Sequence, residues 1–216
     1  MTGNVGRTRV KICGITRIDD ALTSVDHGAD TVGFVFHEKS PRYIDPERAH
    51  RIIEQLPPFI QTIGVFADEP VDEVVQAYEE SGVDAVQILN ADRVFPGITS
   101  ASIIPVVRVG GEHGGREIAS IPNKKVVLLD TFVPGEKGGT GKTFDWEIAR
   151  AYARNRNIIV AGGLTPENVS VLIESVRPYG VDVSSGVEGS PGKKDHKKIA
   201  RFMESVLTID DYLRGA

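Results

Sequence analysis

The chain has 216 residues and a formal net charge of −5, so its acidic excess argues against a nucleic-acid-binding protein. Hydrophobic residues make up 40% and charged residues 25%, which is an ordinary balance for a globular protein. One cysteine excludes an intrachain disulfide and a multi-cysteine zinc site, while a polar N-terminus and the lack of long apolar runs predict a cytoplasmic protein without a membrane span.

Short apolar runs alternate with longer amphipathic runs along the whole chain. Strands are predicted at 9–13, 31–36, 60–66, 85–89, 103–107, 125–130, 157–161 and 180–184. Helices are predicted at 18–27, 46–56, 70–81, 144–155, 165–175 and 196–207. Asp45 before Pro46 and Thr165 before Pro166 are signals for a helix start, whereas glycines make any helices within 90–120 short or irregular.

Eight strands that alternate with helices over about 200 residues predict one α/β domain, a (β/α)8 TIM barrel of the phosphate-binding type. The glycine fingerprint of a doubly wound nucleotide-binding sheet is missing. We expect an N-terminal extension over 1–8, the barrel over 9–207 and a C-terminal tail over 208–216. In such a barrel the active site lies at the carboxyl ends of the strands.

Two strand ends carry side chains suited to acid–base chemistry. Asp130 closes an apolar strand, and burial there would raise its pKa and suit it to general-acid catalysis. Cys13 ends the first strand; a lone cysteine is often a small buried hydrophobe, and as a base it needs a stabilised thiolate. Lys11 shares the face of Cys13, and Asp182 lies on the adjacent eighth strand, so we predict a buried Lys11–Asp182 pair.

The loops after strands seven and eight are rich in glycine and serine. Gly162 and Gly163 follow strand seven, and Ser184, Ser185 and Gly186 follow strand eight. These positions match the usual phosphate site of the barrel, where backbone N–H groups face the anion. The alternative is that the glycines only permit tight turns, and a short extra helix is expected near 189–192.

Several other sequence features could indicate a metal site or a nucleotide site, but none of them matches the required pattern. The five histidines lack metal-binding spacing, and Lys193 and Lys194 are interpreted as solvated surface or a local anion contact. The glycine-rich segment 137–143 resembles a Walker A loop, but Glu136 stands where that motif requires glycine. We therefore predict a mobile lid there.

Eight sequence blocks together resemble one known family. They are VKICGIT at 10–16, GFVF at 33–36, SPRY at 40–43, VF at 65–66, LLDT at 128–131, GTGKTFDW at 139–146, GGLTPENV at 162–169 and VDVSSGVE at 181–188. With these blocks the chain closely resembles phosphoribosylanthranilate isomerase, an enzyme of tryptophan biosynthesis, from about residue 9 to residue 207.

The resemblance implies an Amadori rearrangement of N-(5′-phosphoribosyl)anthranilate to 1-(2-carboxyphenylamino)-1-deoxyribulose 5-phosphate. By this resemblance Asp130 is the general acid, Cys13 is the general base and Arg42 pairs with the anthranilate carboxylate. The glycine and serine loops would hold the phosphate. No cofactor is implied, because the substrate nitrogen serves as the electron sink. The expected partner is a small phosphosugar, and the expected state is a monomer or a homodimer.

One corner departs from the family pattern. After strand four the family usually reads VQLHG, whereas this chain has VQILN, with Leu89 and Asn90 in place of histidine and glycine. This leaves open a non-catalytic phosphosugar-binding barrel. Another sugar-phosphate isomerase or epimerase, or the indole-forming synthase, is the other alternative, although paired carboxylates, a metal set or several catalytic lysines are not visible.

Overall fold

The computed structural model describes residues 6–89, 93–109, 118, 120–131 and 145–215. Eight parallel strands close into a barrel in chain order, which confirms the (β/α)8 prediction. The strands are β1 (Arg9–Cys13), β2 (Thr31–Val35), β3 (Gln61–Val65), β4 (Ala85–Ile88), β5 (Ile103–Val109), β6 (Val127–Thr131), β7 (Ile158–Val160) and β8 (Gly180–Val183). β8 returns to pair with β1, so the first and last strands form the closing seam.

Helices surround the barrel. Within the described residues they are α1 (Ile18–Asp26), α2 (Pro46–Ile53), α3 (Val71–Ser81), α4 (Trp146–Ala153), α5 (Val169–Val176) and α6 (His196–Gly215). Asp45 caps α2 by accepting a hydrogen bond from the Arg48 amide, with Pro46 in the first turn, as the sequence predicted. Even α6, with 20 residues, lacks the apolar stretch that a membrane crossing requires, as does every other described helix.

Among the described residues, the buried apolar side chains form two clusters. The large one lies between the strands and the helices and includes fully buried Phe34, Leu129 and Phe202. A small one contains Val106 and Leu128 together with Ala161, and all three line the cavity at the barrel mouth. Alternation along each strand therefore sends one set of side chains to the helices and the other to the site.

The predicted start of α5 at Thr165 was wrong by four residues. The helix begins at Val169, because the preceding turn satisfies its own polar groups. Asn168 Oδ1 accepts from the Thr165 amide at 2.8 Å, and Thr165 Oγ1 accepts from the Glu167 amide at 3.2 Å. Threonine and asparagine side chains favour such turns over helix interiors.

The segment predicted as a C-terminal tail instead continues α6 to Gly215. The buried Asp210 accepts hydrogen bonds from the amide of Thr8 at 2.6 Å and from its hydroxyl at 2.8 Å. These bonds fix the last helix to the entrance of β1. Without them a carboxylate and a backbone amide would be buried without partners, so the helix is held to its end.

Candidate active site

A cavity of about 480 Å³ opens at the carboxyl ends of the strands. Its walls combine the apolar interior of the barrel with a few charged and polar groups, which is typical of a small-molecule site. Seven of the eight site residues predicted from the sequence line it, namely Cys13, Arg42, Asp130, Gly162, Gly163, Ser184 and Ser185. The eighth, Gly186, lies in the adjoining depression that Gly163 and Ser185 also line.

Cys13 stands where β1 ends and the chain turns away from the barrel. The turn is made by Gly14, which has a φ of 76°, a conformation that glycine adopts without strain. The amide of Gly14 donates to the carbonyl of Gly33 at 2.9 Å, so the end of β1 is fixed against β2. Cys13 is 8% exposed, and the pKa of its thiol lies above its usual value, because the effect of burial outweighs the opposite effect of the Lys11 ammonium.

The buried pair predicted between Lys11 and Asp182 is confirmed. The two residues are register partners across the closing seam, and Lys11 Nζ donates to Asp182 Oδ2 at 2.7 Å. Burial alone would lower the pKa of Lys11, but Asp182 and the Cys13 thiol raise it on balance. Asp182 Oδ1 is buried, and none of the described residues donates a hydrogen bond to it.

Asp130 lies at the end of β6, where its carboxyl group faces the cavity. Burial raises the pKa of Asp130 to about 6, although the backbone amide of Thr131 donates to Oδ1 at 2.8 Å and so favours the ionised form. The raised pKa predicted from the apolar strand is therefore confirmed. A carboxyl group with this pKa can carry a proton close to neutral pH.

Arg42 presents its guanidinium at the wall of the cavity and is held there by Glu188. Its Nε and Nη2 donate to the two oxygens of Glu188, each at 2.8 Å, in a bidentate pair. Lys194 Nζ donates to the same carboxylate at 3.0 Å. Arg42 and Lys194 keep the pKa of Glu188 below its usual value despite burial, which on its own would raise it.

Sequence reasoning did not identify Glu188 and Lys194 as part of this network. Lys194 was interpreted as a surface or anion-contact residue, yet it is 3% exposed. The reason is a two-stranded hairpin, β9 (Glu188–Ser190) with β10 (Lys193–Lys194), which occupies the position where a short helix was expected. The hairpin places Lys194 opposite Glu188, and no local sequence signal marks that pairing.

The two glycine-bearing loops meet beside the cavity. Gly162 and Gly163 have φ values of 86° and 64°, which L side chains rarely adopt, so the loop after β7 needs glycine at both positions. After β8 a short 3₁₀ turn spans Ser185–Val187, and a Cβ on Gly186 would overlap the carbonyl oxygen of Leu164. The loops therefore pack backbone against backbone.

One group of side chains has the donor types of a metal site. His37, Asp68 and Glu69 each place a ligand-capable atom within 4.8 Å of the others. However, His37 Nδ1 is hydrogen-bonded to Glu69 Oε1, and Glu69 Oε2 accepts from the amide of Ala67 at 2.6 Å. His37 and Glu69 are thus already hydrogen-bonded within the loop, and we assign no metal to this group.

Two predicted features lie outside the described residues. They are the glycine-rich segment 137–143 and Asn90 of the divergent corner after β4. Leu89 itself lines the cavity, where it packs against the apolar cluster inside the barrel.

Comparison with known proteins identifies the family. Residues 10–205 match the family model described as N-(5'phosphoribosyl)anthranilate (PRA) isomerase. The chain belongs to this family. Among relatives, the N-(5'-phosphoribosyl)anthranilate isomerase of Geobacter sp. (strain M21) is 48% identical over 199 residues, covering 91% of this chain and 96% of the relative.

Two solved structures of phosphoribosylanthranilate isomerases are close to this one. A complex with reduced 1-(o-carboxyphenylamino)-1-deoxyribulose 5-phosphate is 40% identical, with a TM-score of 0.77, and covers 93% of this chain and 99% of its own. A monomeric form of the dimeric enzyme from Thermotoga maritima is 41% identical, with a TM-score of 0.79 and the same coverage. The recognition made from the sequence blocks is thus confirmed.

Proposed function

We propose that this isomerase converts N-(5′-phosphoribosyl)anthranilate to 1-(2-carboxyphenylamino)-1-deoxyribulose 5-phosphate with Asp130 as general acid and Cys13 as general base. The observation that carries the assignment is the shared cavity, which contains a buried carboxyl group with a pKa of about 6 and the sole thiol of the chain. An acid that is still partly protonated at neutral pH and a separate base can move two protons on one sugar.

The reaction divides into two proton transfers. Asp130 donates its proton to the furanose ring oxygen; the bond from that oxygen to C1′ breaks, and the nitrogen lone pair forms a Schiff base. The Cys13 thiolate then takes the C2′ proton, and the electron pair of that C–H bond moves through C1′ to the nitrogen. The resulting enolamine tautomerises to the ketone. All electrons stay within the substrate, so this scheme calls for no cofactor.

Arg42 is proposed to bind the anthranilate carboxylate. Glu188 engages Nε and Nη2, which fixes the plane of the guanidinium, and within the described part of the chain Nη1 stays available to a ligand. A planar fork held in this way suits a planar carboxylate better than a flexible ammonium would. The substrate phosphate is assigned to the backbone amides of Gly163, Ser185 and Gly186, where the two loops meet.

Turnover by single-site variants tests the assignment. Loss of substrate fluorescence is followed with freshly generated phosphoribosylanthranilate for the wild type, Cys13→Ala and Asp130→Asn. Each variant should lose about 10²- to 10⁴-fold in kcat while it stays folded. Asp19→Asn, the same chemical change at an exposed carboxyl of α1, is the matched control and should keep full activity.

The outcomes separate the isomerase from its alternatives. Saturable binding without wild-type turnover would identify a non-catalytic phosphosugar binder. Turnover that persists in Cys13→Ala would remove the thiol from the mechanism.

A cytoplasmic location and the absence of nucleic-acid partners stay predictions from the sequence. Of the two oligomeric states expected, the homodimer is favoured by the dimeric Thermotoga maritima relative, and sedimentation equilibrium tests it.

A further inference from the structure

The Lys11 side chain lies directly behind Cys13. The residues that line the cavity include Cys13 and Asp182 but not Lys11, which is 4% exposed. The Lys11 ammonium donates to Asp182 Oδ2 at 2.7 Å and lies near the Cys13 side chain. Lys11 therefore lies close to the proposed base without itself lining the cavity.

A glycine on the neighbouring strand provides the space for this contact. Gly33 is the register partner of Cys13, and a Cβ at position 33 would lie 2.8 Å from Lys11 Cε. The same Cβ would lie 3.1 Å from Lys11 Nζ and 3.1 Å from Cys13 Sγ. The two side-chain tips are thus within about 6 Å of each other, a separation at which opposite charges interact strongly.

Among the described residues, three charged groups affect the pKa of the Cys13 thiol. They are Lys11 on its own strand, Asp182 on β8 and Lys194 on the hairpin, whereas β2 contributes the uncharged Gly33. Lys194 is already paired with Glu188 at 3.0 Å. Lys11 is hydrogen-bonded to Asp182 and lies next to the thiol, so it is placed to compensate a negative charge on sulfur.

We infer that Lys11 is a positioning residue that stabilises the thiolate of Cys13 relative to its thiol, with Asp182 fixing the ammonium in place. The thiol proton leaves to solvent before the reaction; the thiolate takes the C2′ proton and becomes a thiol again. Lys11 stays an ammonium throughout, because Asp182 and Cys13 raise its pKa against the effect of burial. This role rests on the proposed use of Cys13 as the base.

Alkylation of the free enzyme tests the inference without substrate. Since Cys13 is the sole cysteine, the rate of iodoacetamide labelling against pH reports this thiol alone. Lys11→Met, which is close in length and uncharged, should raise the midpoint by about one to three pH units. Lys193→Met removes the same charge from an exposed position of β10 and should leave the midpoint unchanged.

The negative charge of Asp182 provides a second test, in which the alkylation midpoint should shift in the opposite direction. Asp182→Asn removes the carboxylate that raises the pKa of Cys13, so its midpoint should fall below that of the wild type. A packing defect would move both variants in the same direction, and that result would overturn the inference. A Lys11→Met profile that coincides with the wild type would also overturn it.

Lys11→Met leaves Asp182 buried without its partner, which can prevent folding. If so, the double variant Lys11→Met/Asp182→Asn, which buries neither charge, replaces it. Its midpoint should still lie above the wild type, because Lys11 acts on the thiol more strongly than Asp182 does. A midpoint at or below the wild-type value would refute the role of Lys11.

Kinetics then connect the thiol to turnover. The acid limb of kcat/KM for Lys11→Met, or for the double variant, should move upward by the same interval as the alkylation midpoint. An unmoved limb would contradict a role in catalysis. A shifted alkylation midpoint in an enzyme without isomerase activity would refute the proposed function instead, so the two failures are distinguishable.

Discussion

Replacing Asp130 with asparagine should make the protein more stable and nearly inactive. Asparagine keeps the size of the side chain and the oxygen that accepts from the Thr131 amide, but it cannot ionise. Burial raises the pKa of Asp130 from 3.8 to about 6 in the folded protein. At about 1.36 kcal/mol per unit of pKa, the ionised carboxyl then costs the folded state about 3 kcal/mol.

The sign of the effect follows from proton binding. The folded state binds the Asp130 proton more tightly than the unfolded chain, so the wild type loses stability as the pH rises from about 4 to about 6. Above about pH 6 the ionised Asp130 carboxyl lowers the free energy of unfolding by the full amount of about 3 kcal/mol. Asp130→Asn should therefore exceed the wild type by about 3 kcal/mol in free energy of unfolding at pH 7.5, and the difference should vanish near pH 4.

Urea unfolding followed by circular dichroism at several pH values measures this difference. Asp19→Asn controls for the amide substitution at an exposed site. The gain in stability should accompany the loss of turnover, as expected where an active site carries a destabilised group. An Asp130→Asn variant no more stable than the wild type at pH 7.5 would mean that the ionised carboxylate is accommodated without cost, and the account of the acid would be wrong.

Three further substitutions have expected outcomes. Arg42→Lys cannot form the bidentate pair with Glu188 and should raise KM roughly 10- to 100-fold with a smaller change in kcat, measured by steady-state kinetics. Gly186→Ala places a methyl group against a carbonyl oxygen of the loop after β7 and should weaken inorganic phosphate binding about tenfold or more, measured as competitive inhibition. Asp210→Ala leaves Thr8 without its two buried hydrogen bonds and should cost about 3 kcal/mol in urea unfolding.

Each of these has a matched control. Arg201→Lys changes an exposed pair, Gly189→Ala adds a methyl group that meets its nearest neighbour only at 3.9 Å, and Asp211→Ala alters an exposed residue of α6. Kinetics, inhibition and stability should be close to wild type in these three. Equal effects in a variant and its control would show that the contact named for that variant does not matter.

Periodicity and strand ends were enough to predict the barrel and its mouth. Alternation placed Lys11 on the face of Cys13, and closure of eight strands placed Asp182 beside it, so a pair separated by 171 residues followed from topology. The raised pKa of Asp130 followed from its apolar strand. These features depend on rules that act along a strand or between neighbouring strands.

The features that were missed depend on contacts that local patterns do not encode. Glu188 reaches Arg42 because the chain after β8 folds into a hairpin. Thr165 was assigned to a helix start because Pro166 follows it, but Asn168 competes by bonding the Thr165 amide. The guanidinium of Arg156 donates to four carbonyl oxygens between residues 118 and 125, and no sequence motif predicts these hydrogen bonds.

The seam between β1 and β8 joins the beginning of the chain to a strand near its end, and this affects how the protein folds during synthesis. Cys13 and Lys11 lie on the first strand of the barrel, whereas Asp182 and Ser184, whose hydroxyl donates to the Cys13 carbonyl at 3.1 Å, are 171 residues later. The chain between these two strands must be ordered, at a cost in conformational entropy, before the contacts across the seam can stabilise the protein. During synthesis Cys13 therefore leaves the ribosome long before Asp182 and Ser184 do. We therefore expect isomerase activity only after β8 has paired with β1.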